Sequence, residues 1–326
     1  MKKKRSLRAL SISFSGLISC LIGASSAHAA SPAGHITGKC EASILASGFQ
    51  GPDGLAIHPL TGDLYVAEKD AGRISVITAS GQKQTAIETG WNVHEVIEAW
   101  AITKTRTRDF ILSPKLEQPG PITFTKEGHL LVAEQRPWGR ILEFIPNADG
   151  KYDVAKFIPI PWLDKRMAWD DIAVSKDGRL FVVGYDPKGE GLLHYGSVLM
   201  RDLEMNWWVI DYGPFSKFSS LTLSRDEEIA VVCERSKGEI ISWDTVRQLP
   251  MGTAQSTVFG AEVENNCLLR DGAFIIARVP KEENAGKKST LVRIDSQTQQ
   301  AVDVATGFDK IGSVILNEKS GHLYTS

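Results

Sequence analysis

The sequence predicts an all-β fold, a six-bladed β-propeller, on three observations. A unit of apolar strand, glycine-containing turn, apolar strand, short loop and apolar strand returns six times along the chain. Its first strands start at residues 55, 122, 172, 221, 267 and 314, so four of the five spacings fall between 46 and 50 residues. A further strand precedes each new copy, which makes four per unit. Radial repetition of a four-stranded unit leaves few unprotected sheet edges.

The elements follow in chain order. Lys2, Lys3, Lys4, Arg5 and Arg8 precede a mostly apolar or small stretch from Ala9 to Ile22, and Ala27-His28-Ala29 places small residues where a signal peptidase reads them. The apolar stretch is short for a membrane span, which needs about 20 residues. Residues 1–29 are therefore expected to be a signal peptide, and residues 30–326 one exported propeller domain, periplasmic or secreted. Leu17-Ile18-Ser19-Cys20 also fits a lipoprotein box, in which an acylated Cys20 anchors the chain. Next, Glu41–Phe49 matches the outer strand that ends at Phe308, so it is expected to complete the truncated last blade and close the ring. His35-Ile36-Thr37 is a candidate third strand there.

The first copy runs from Gly54 through Gly62-Asp63-Leu64-Tyr65-Val66-Ala67-Glu68 to Gly72-Arg73-Ile74. The longer first spacing, 67 residues, leaves room for an insertion over 91–115. There Asn92 followed by Glu95 resembles a capping box, and Val93, Val96, Ile97 and Trp100 share one helical face, so a short helical lid is expected. The second copy repeats the pattern at Gly128-His129-Leu130-Leu131-Val132-Ala133-Glu134 and Gly139-Arg140-Ile141. The third carries a long loop from Gly184 to Gly196, with four glycines, Gly196 among them, and two tyrosines. The fourth and fifth keep the spacing, and the sixth breaks off after two strands.

Composition is that of a globular chain, 42% hydrophobic and 23% charged. The net charge of −2 offers no electrostatic case for nucleic acid or an anionic membrane, and no second apolar stretch is long enough to cross a bilayer. Cys40, Cys233 and Cys267 remain after leader removal, too few for a disulfide framework. They read as buried small apolar residues, with one bridge possible between Cys233 and Cys267 on adjacent blades. No His-x-His, Cys-x-x-Cys, Gly-x-Ser-x-Gly, P-loop or dinucleotide fingerprint occurs.

In this topology the inner strands start, and the second strands end, at one face of the ring. Asp53, Asp170, Asp171, Ser219, Glu264 and Asn265 stand at inner-strand starts; Glu68, Glu134, Glu234 and Arg278 stand at second-strand ends. Converging carboxylates repel unless cations intervene. Lys69, Arg136 and Arg235 are adjacent cations. A divalent metal is the other solution, Ca²⁺ before Zn²⁺, with Asp53, Glu68, Asp170, Asp171, Glu234 and Glu264 as its candidate ligands. The plainer alternative is that each Ala-Glu pair is repeat consensus, its carboxylate bonded to a neighbouring loop. His94 from the lid and His194 from the long loop join Glu134 and Asp170 as candidate catalytic groups. Trp138, Tyr185, Tyr195, Arg136, Arg235 and Arg278 are candidate ligand contacts, and aromatics around an acidic pore point to a small organic molecule. His58, His129 and His322 fall at the opposite face, as turn residues.

Gly48-Phe49-Gln50-Gly51-Pro52-Asp53-Gly54-Leu55, followed by the first two copies, resembles an NHL repeat and is similar to the regucalcin/gluconolactonase superfamily of six-bladed propellers. That resemblance implies a divalent metal in the central pore, held by a Glu from Glu-Gly-Pro, two Asn and an Asp. Here the tripeptide is Gln50-Gly51-Pro52, and Ser219-Ser220-Leu221 stands where Asn-Gly-Leu is expected. It implies an exported enzyme, hydrolase, lyase or oxidative, and similar propellers occur in pigment and secondary-metabolite pathways such as scytonemin assembly. The alternative is a non-catalytic propeller binding a protein or glycan in the envelope.

Overall fold

The structure is a computed structural model. It describes residues 7–13, 41–88, 90–93, 113–160, 167–186, 195–214, 217–235, 237–245, 255–258, 262–280, 288–295, 298, 300–309 and 311–326. The protein is an all-β propeller, and no helix occurs among the described residues.

Five sheets are blades of consecutive antiparallel strands. The first contains Pro52–Ile57, Leu64–Glu68, Arg73–Ile77 and Lys83–Ile87. The second contains Pro119–Phe124, Leu130–Glu134, Ile141–Ile145 and Val154–Phe157. The third contains Ala168–Val174, Leu180–Tyr185, Tyr195–Arg201 and Trp207–Pro214. The fourth contains Phe218–Leu223, Ile229–Glu234, Glu239–Asp244 and Gln255–Val258. The fifth contains Glu262–Leu268, Phe274–Val279, Ser289–Ile294 and Ala301–Phe308. The sixth sheet is a composite. Val314–Asn317 and His322–Thr325 are its inner strands, followed by Leu7–Ser13 and, at the edge, Glu41–Phe49.

Two features differ from expectation. The third position of the composite sheet is filled by Leu7–Ser13, inside the expected leader, paired with both Glu41–Phe49 and His322–Thr325. His35–Thr37, the expected occupant, lies outside the described residues. Asn92, expected to cap a helix, starts a two-residue strand that runs parallel to Val154–Phe157. The preceding Trp91 explains the path. It is buried, with its ring 4.9 Å from Phe144, and this draws the chain along the edge of the second blade. The rest of the expected lid, 94–112, lies outside the described residues.

The second strand of a blade has two buried faces, and its alternate residues serve different neighbours. Tyr65 and Ala67 face the second blade, whereas Leu64 and Val66 face the composite sheet. Phe181 and Val183 face the fourth blade, Leu180 and Val182 the second. Six apolar clusters result, one between each pair of neighbouring sheets, the last joining Ile315 and Tyr324 to Leu55 and Val66. Complete burial of one such aliphatic side chain contributes about 1.5–3 kcal/mol. Cys233 and Cys267 belong to two of these clusters and are not bridged. Burial pushes their thiols up to about 11 and about 12.

Candidate functional site

The inner strands share an irregularity at the mouth of the pore. Each of the five blades breaks register where its inner strand begins: between Pro52 and Leu55, Pro119 and Ile122, Trp169 and Asp171, Phe218 and Ser220, and Val263 and Asn265. A bulge leaves a residue unpaired and re-aims its side chain. The residues so released include Asp53, Asp170, Ser219 and Glu264. Close packing accompanies them: a Cβ on Gly54 would lie 2.1 Å from the Gly120 carbonyl oxygen, and one on Gly120 would lie 2.8 Å from Gln135 Cβ. Only glycine lets these strands and the Gln135 side chain approach.

The residues after the bulges tie blade to blade. Asp171 accepts from the Ile172 N–H and from the Leu221 N–H of the next blade, both at 2.8 Å. Asn265 accepts from Val314 N–H at 3.2 Å and donates to Gly312 O. Ser219 Oγ donates to Val263 O, and Ser326 Oγ to Asp53 O. Asp171 is therefore a staple between blades. Burial still pushes its carboxyl up to about 7, against those two N–H donors.

The carboxylates at second-strand ends turn into their own blades and are fully buried. Glu68 accepts from Gln50 N–H at 2.7 Å, Ser75 Oγ at 2.5 Å and Arg73 Nε at 3.0 Å, and lies 3.0 Å from Lys83 Nζ. Burial opposes its charge, but these donors outweigh burial and hold the carboxyl at about 2. Glu134 accepts from Glu117 N–H and is bridged by the buried Arg140, at 3.0 and 2.7 Å. Here burial wins over Arg140 and the carboxyl is raised. Glu234 accepts from Lys217 N–H at 2.8 Å and Lys237 N–H at 2.6 Å. In all three blades the glutamate pins the loop that enters the inner strand. That is the repeat-consensus role, and it takes Glu68, Glu134 and Glu234 away from the pore.

The remaining candidates separate. Glu264 is paired at 2.6 Å with Arg235, which also holds Glu262 at 3.0 Å. Arg278 makes an exposed pair with Asp303 at 2.9 Å, away from the mouth. Arg136 pairs with Glu117. Trp138 is an exposed turn residue at φ 65°. Tyr195 begins a third strand, paired with Pro214. His94 and His194 lie outside the described residues. His129 is bound to Glu143 at 2.7 Å, and His58 Nδ1 accepts from two turn N–H groups.

What converges on the mouth is a smaller group. A small central cleft, partly open to solvent, is lined by Asp53, Asp170, Asp171, Asn265 and Ser313. Asp170 Oδ1 accepts from Gln135 Nε2 at 2.9 Å, while its Oδ2 is buried without a partner. Lys69 Nζ donates to Gln135 Oε1 and lies 4.0 Å from Asp53. Lys217 Nζ sits 4.9 Å above the Tyr185 ring. Burial pushes Asp170 up to about 7; Gln135, Lys217 and Lys69 pull down and Asp53 pushes up. Gln135 and Lys217 were not singled out in the sequence. The available signal was offset: Lys69, Gln135 and Arg235 each directly follow a repeat glutamate, and each N–H bonds the loop before its inner strand.

These donors do not make up a divalent-cation centre. Among the described residues no three His, Cys, Asp or Glu side chains gather in metal-binding geometry. Asp171 and Asn265 spend their oxygens on backbone N–H groups, and Lys69 stands beside Asp53. The position expected for a metal-binding Glu is Gln50, whose N–H is bound to Glu68.

Fold and site together define a propeller whose central mouth offers one half-satisfied carboxyl among lysines and a tyrosine. No protein-family model matches the chain, and no curated protein matches it in sequence. Its structural neighbours are gluconolactonase- and regucalcin-like β-propellers. A gluconolactonase of Xanthomonas campestris aligns at a TM-score of 0.61 and 14% identity, over 86% of this chain and 87% of that one. A periplasmic gluconolactonase of Pseudomonas aeruginosa aligns at 0.55 and 14%, over 88% and 81%. A calcium-binding regucalcin of Agrobacterium tumefaciens aligns at 0.55 and 11%, over 84% and 88%. The same architecture recurs in a streptogramin B lyase and in a nidogen/laminin complex. Identities this low show the fold alone.

Proposed function

We propose that this chain is a hydrolase- or lyase-type propeller enzyme that acts on a small organic molecule at the pore mouth, with a cyclic ester as the first substrate class. The observation that carries the reading is Asp170, one oxygen held by Gln135 and the other buried without a partner in the central cavity. A carboxyl raised to about 7 is suited to both halves of ester hydrolysis near neutral pH. As carboxylate it takes a proton from the water that attacks the carbonyl carbon; as acid it returns that proton to the ring oxygen as the acyl–oxygen bond breaks. Gln135 orients it, and Lys69 and Lys217 favour negative charge developing at the mouth. Gluconolactonase and lyase neighbours of the same fold support this choice.

The test is acid release from a panel of lactones. Asp170→Asn should lose about a hundredfold or more in turnover, with the fold intact. Equal turnover by wild type and variant would remove Asp170 from the chemistry.

Export belongs to the same proposal. Residues 1–29 carry the leader pattern, a periplasmic neighbour fits export, and among the described residues no helix is long and apolar enough to cross a membrane. Mass spectrometry of the N-terminus separates cleavage after Ala29 from acylation at Cys20; an intact Met1 in the natural host contradicts both. We read the composite sheet as a sixth blade, from which cleavage after Ala29 would remove Leu7–Ser13. The partner-binding reading rests on a different feature, the exposed Leu203, Met205 and Trp208 near the outer hairpin of the third blade.

A further inference from the structure

We infer that positive charge at the pore mouth comes from Lys217 and Lys69 in place of a divalent cation, and that the mouth accepts the carboxylate of a small organic acid. This rests on the enzyme reading only for its location: hydrolysis of a cyclic ester leaves a hydroxy-carboxylate in the mouth where Asp170 stands.

The geometry begins with the glutamate of the fourth blade. Glu234 Oε1 accepts the Lys217 N–H at 2.8 Å, and the Lys217 carbonyl accepts Arg235 N–H at 2.8 Å. The backbone of Lys217 is thus clamped on both sides, and its side chain lies across the Tyr185 ring. Among the described residues no carboxylate comes within ion-pair distance of its ammonium. The neighbouring cations are committed: Arg235 to Glu262 and Glu264, Arg136 to Glu117. Lys69 is shared between Gln135 and Asp53. Lys217 is therefore the ammonium with donors to spare at the entry to the fourth blade's inner strand, near enough for its charge to act on Asp170, and an ammonium partly withdrawn from water gains from an anionic partner.

The groups facing Asp170 come from every neighbouring blade: Asp53 and Lys69 from the first, Gln135 from the second, Tyr185 and Asp171 from its own, Lys217 and Arg235 from the fourth. The cations among these groups are Lys69, Lys217 and Arg235, and Asp170 Oδ2 is left without a hydrogen-bond partner. A divalent ion needs the opposite arrangement, several free anionic oxygens and no ammonium among them.

The experiment uses the full chain, stripped with chelator, and thermal melting with acetate, lactate, gluconate and glucarate as probes. Sorbitol, the uncharged counterpart of gluconate, is the control. At least one carboxylate should raise the melting temperature while sorbitol does not, and added Ca²⁺ should leave the shift unchanged. Lys217→Met should weaken that carboxylate about tenfold, with Lys217→Arg retaining most of the affinity and the ligand-free melting point of both unmoved. Dependence of binding on Ca²⁺, equal affinity in Lys217→Met, or no protection by any carboxylate at tens of millimolar would each overturn the inference. Turnover is scored separately. Lactone hydrolysis lost in Asp170→Asn without carboxylate binding leaves the enzyme reading standing alone; carboxylate binding without turnover leaves this one.

Discussion

Glu68 and Asp170 are both carboxylates at the mouth-side ends of strands, and they are in opposite states. Glu68 is surrounded by a backbone N–H, a hydroxyl, an arginine and a lysine, and its carboxyl is held at about 2. Asp170 has one amide donor and one empty oxygen, and burial pushes it up to about 7. The difference follows from backbone position. Glu68 closes a regular second strand, so its side chain enters the packed interior between loops. Asp170 is the residue that a bulge expels from the ladder, so its side chain enters the pore. Carboxylates that stay in the ladder at second-strand ends pin the blades, and residues that the shared bulges release at inner-strand starts face the mouth.

The largest effect expected from breaking this contrast is removal of the N-terminal closing segment. A chain beginning at Gly51 lacks both outer strands of the composite sheet and the Gln50 N–H that helps to hold Glu68. It should show no cooperative thermal transition, whereas the full chain should show one. A cooperative transition in the shorter chain at the same temperature would refute ring closure by this segment.

Next in size are two substitutions of opposite sign. Glu134→Ala leaves the buried Arg140 without its carboxylate, and losing one partner of a buried pair costs about 3–5 kcal/mol in urea unfolding. Asp170→Asn removes a carboxyl that burial already disfavours. It should stabilise the protein at pH 8, by roughly 1–3 kcal/mol, while abolishing turnover. Destabilisation by Asp170→Asn would mean that Asp170 is a structural group like Glu134.

The pH profile separates the two carboxylates without mutation. Glu68 is lowered from 4.5 to about 2, so its contribution is complete above pH 4.5 and is lost as pH falls towards 2. Asp170 is raised from 3.8 to about 7, so the folded state binds its proton more tightly. Its unfavourable contribution grows as pH rises from about 4 to 7 and disappears on the acid side. Urea unfolding should therefore show greatest stability in mildly acidic buffer. Glu68→Gln should flatten the limb below pH 4.5, and Asp170→Asn part of the limb between 4 and 7, which Asp171 shares.

Much of the ring was legible because it obeys periodicity. Glycine turns followed by apolar strands mark the inner and second strands of the five blades. The site was legible in part. Asp53, Asp170 and Asp171 were placed at the mouth, but the strand-end glutamates were assigned there too. Leu64–Glu68 and Leu130–Glu134 are buried at every residue, so no alternation shows which way the final carboxylate turns. Bulges leave no local mark, and the contribution of Gln135 and Lys217 appears only when blades far apart in sequence are set side by side. Asn92 shows the converse. Its helix-capping pattern is sound locally, yet burial of the adjacent Trp91 draws it into a strand.

The smallest expected effect is the sharpest check on which arginines belong to the mouth. Arg235 and Arg278 occupy comparable places after or at the ends of second strands, in the fourth and fifth blades. Arg235 bridges Glu262 and Glu264 with the pair partly buried, and its charge is felt by Asp170. Arg278 makes one exposed pair, its side chain 38% and that of Asp303 50% accessible. Exposed pairs of this kind contribute about 0–1 kcal/mol, because both side chains lose freedom and water screens the attraction. Arg278→Ala should therefore shift unfolding by less than about 1 kcal/mol and leave ligand affinity and turnover unchanged. Arg235→Ala should release Glu264 beside the cavity and weaken carboxylate binding, because a newly unpaired anion then faces the ligand. If the two substitutions alter ligand affinity equally, Arg278 returns to the site.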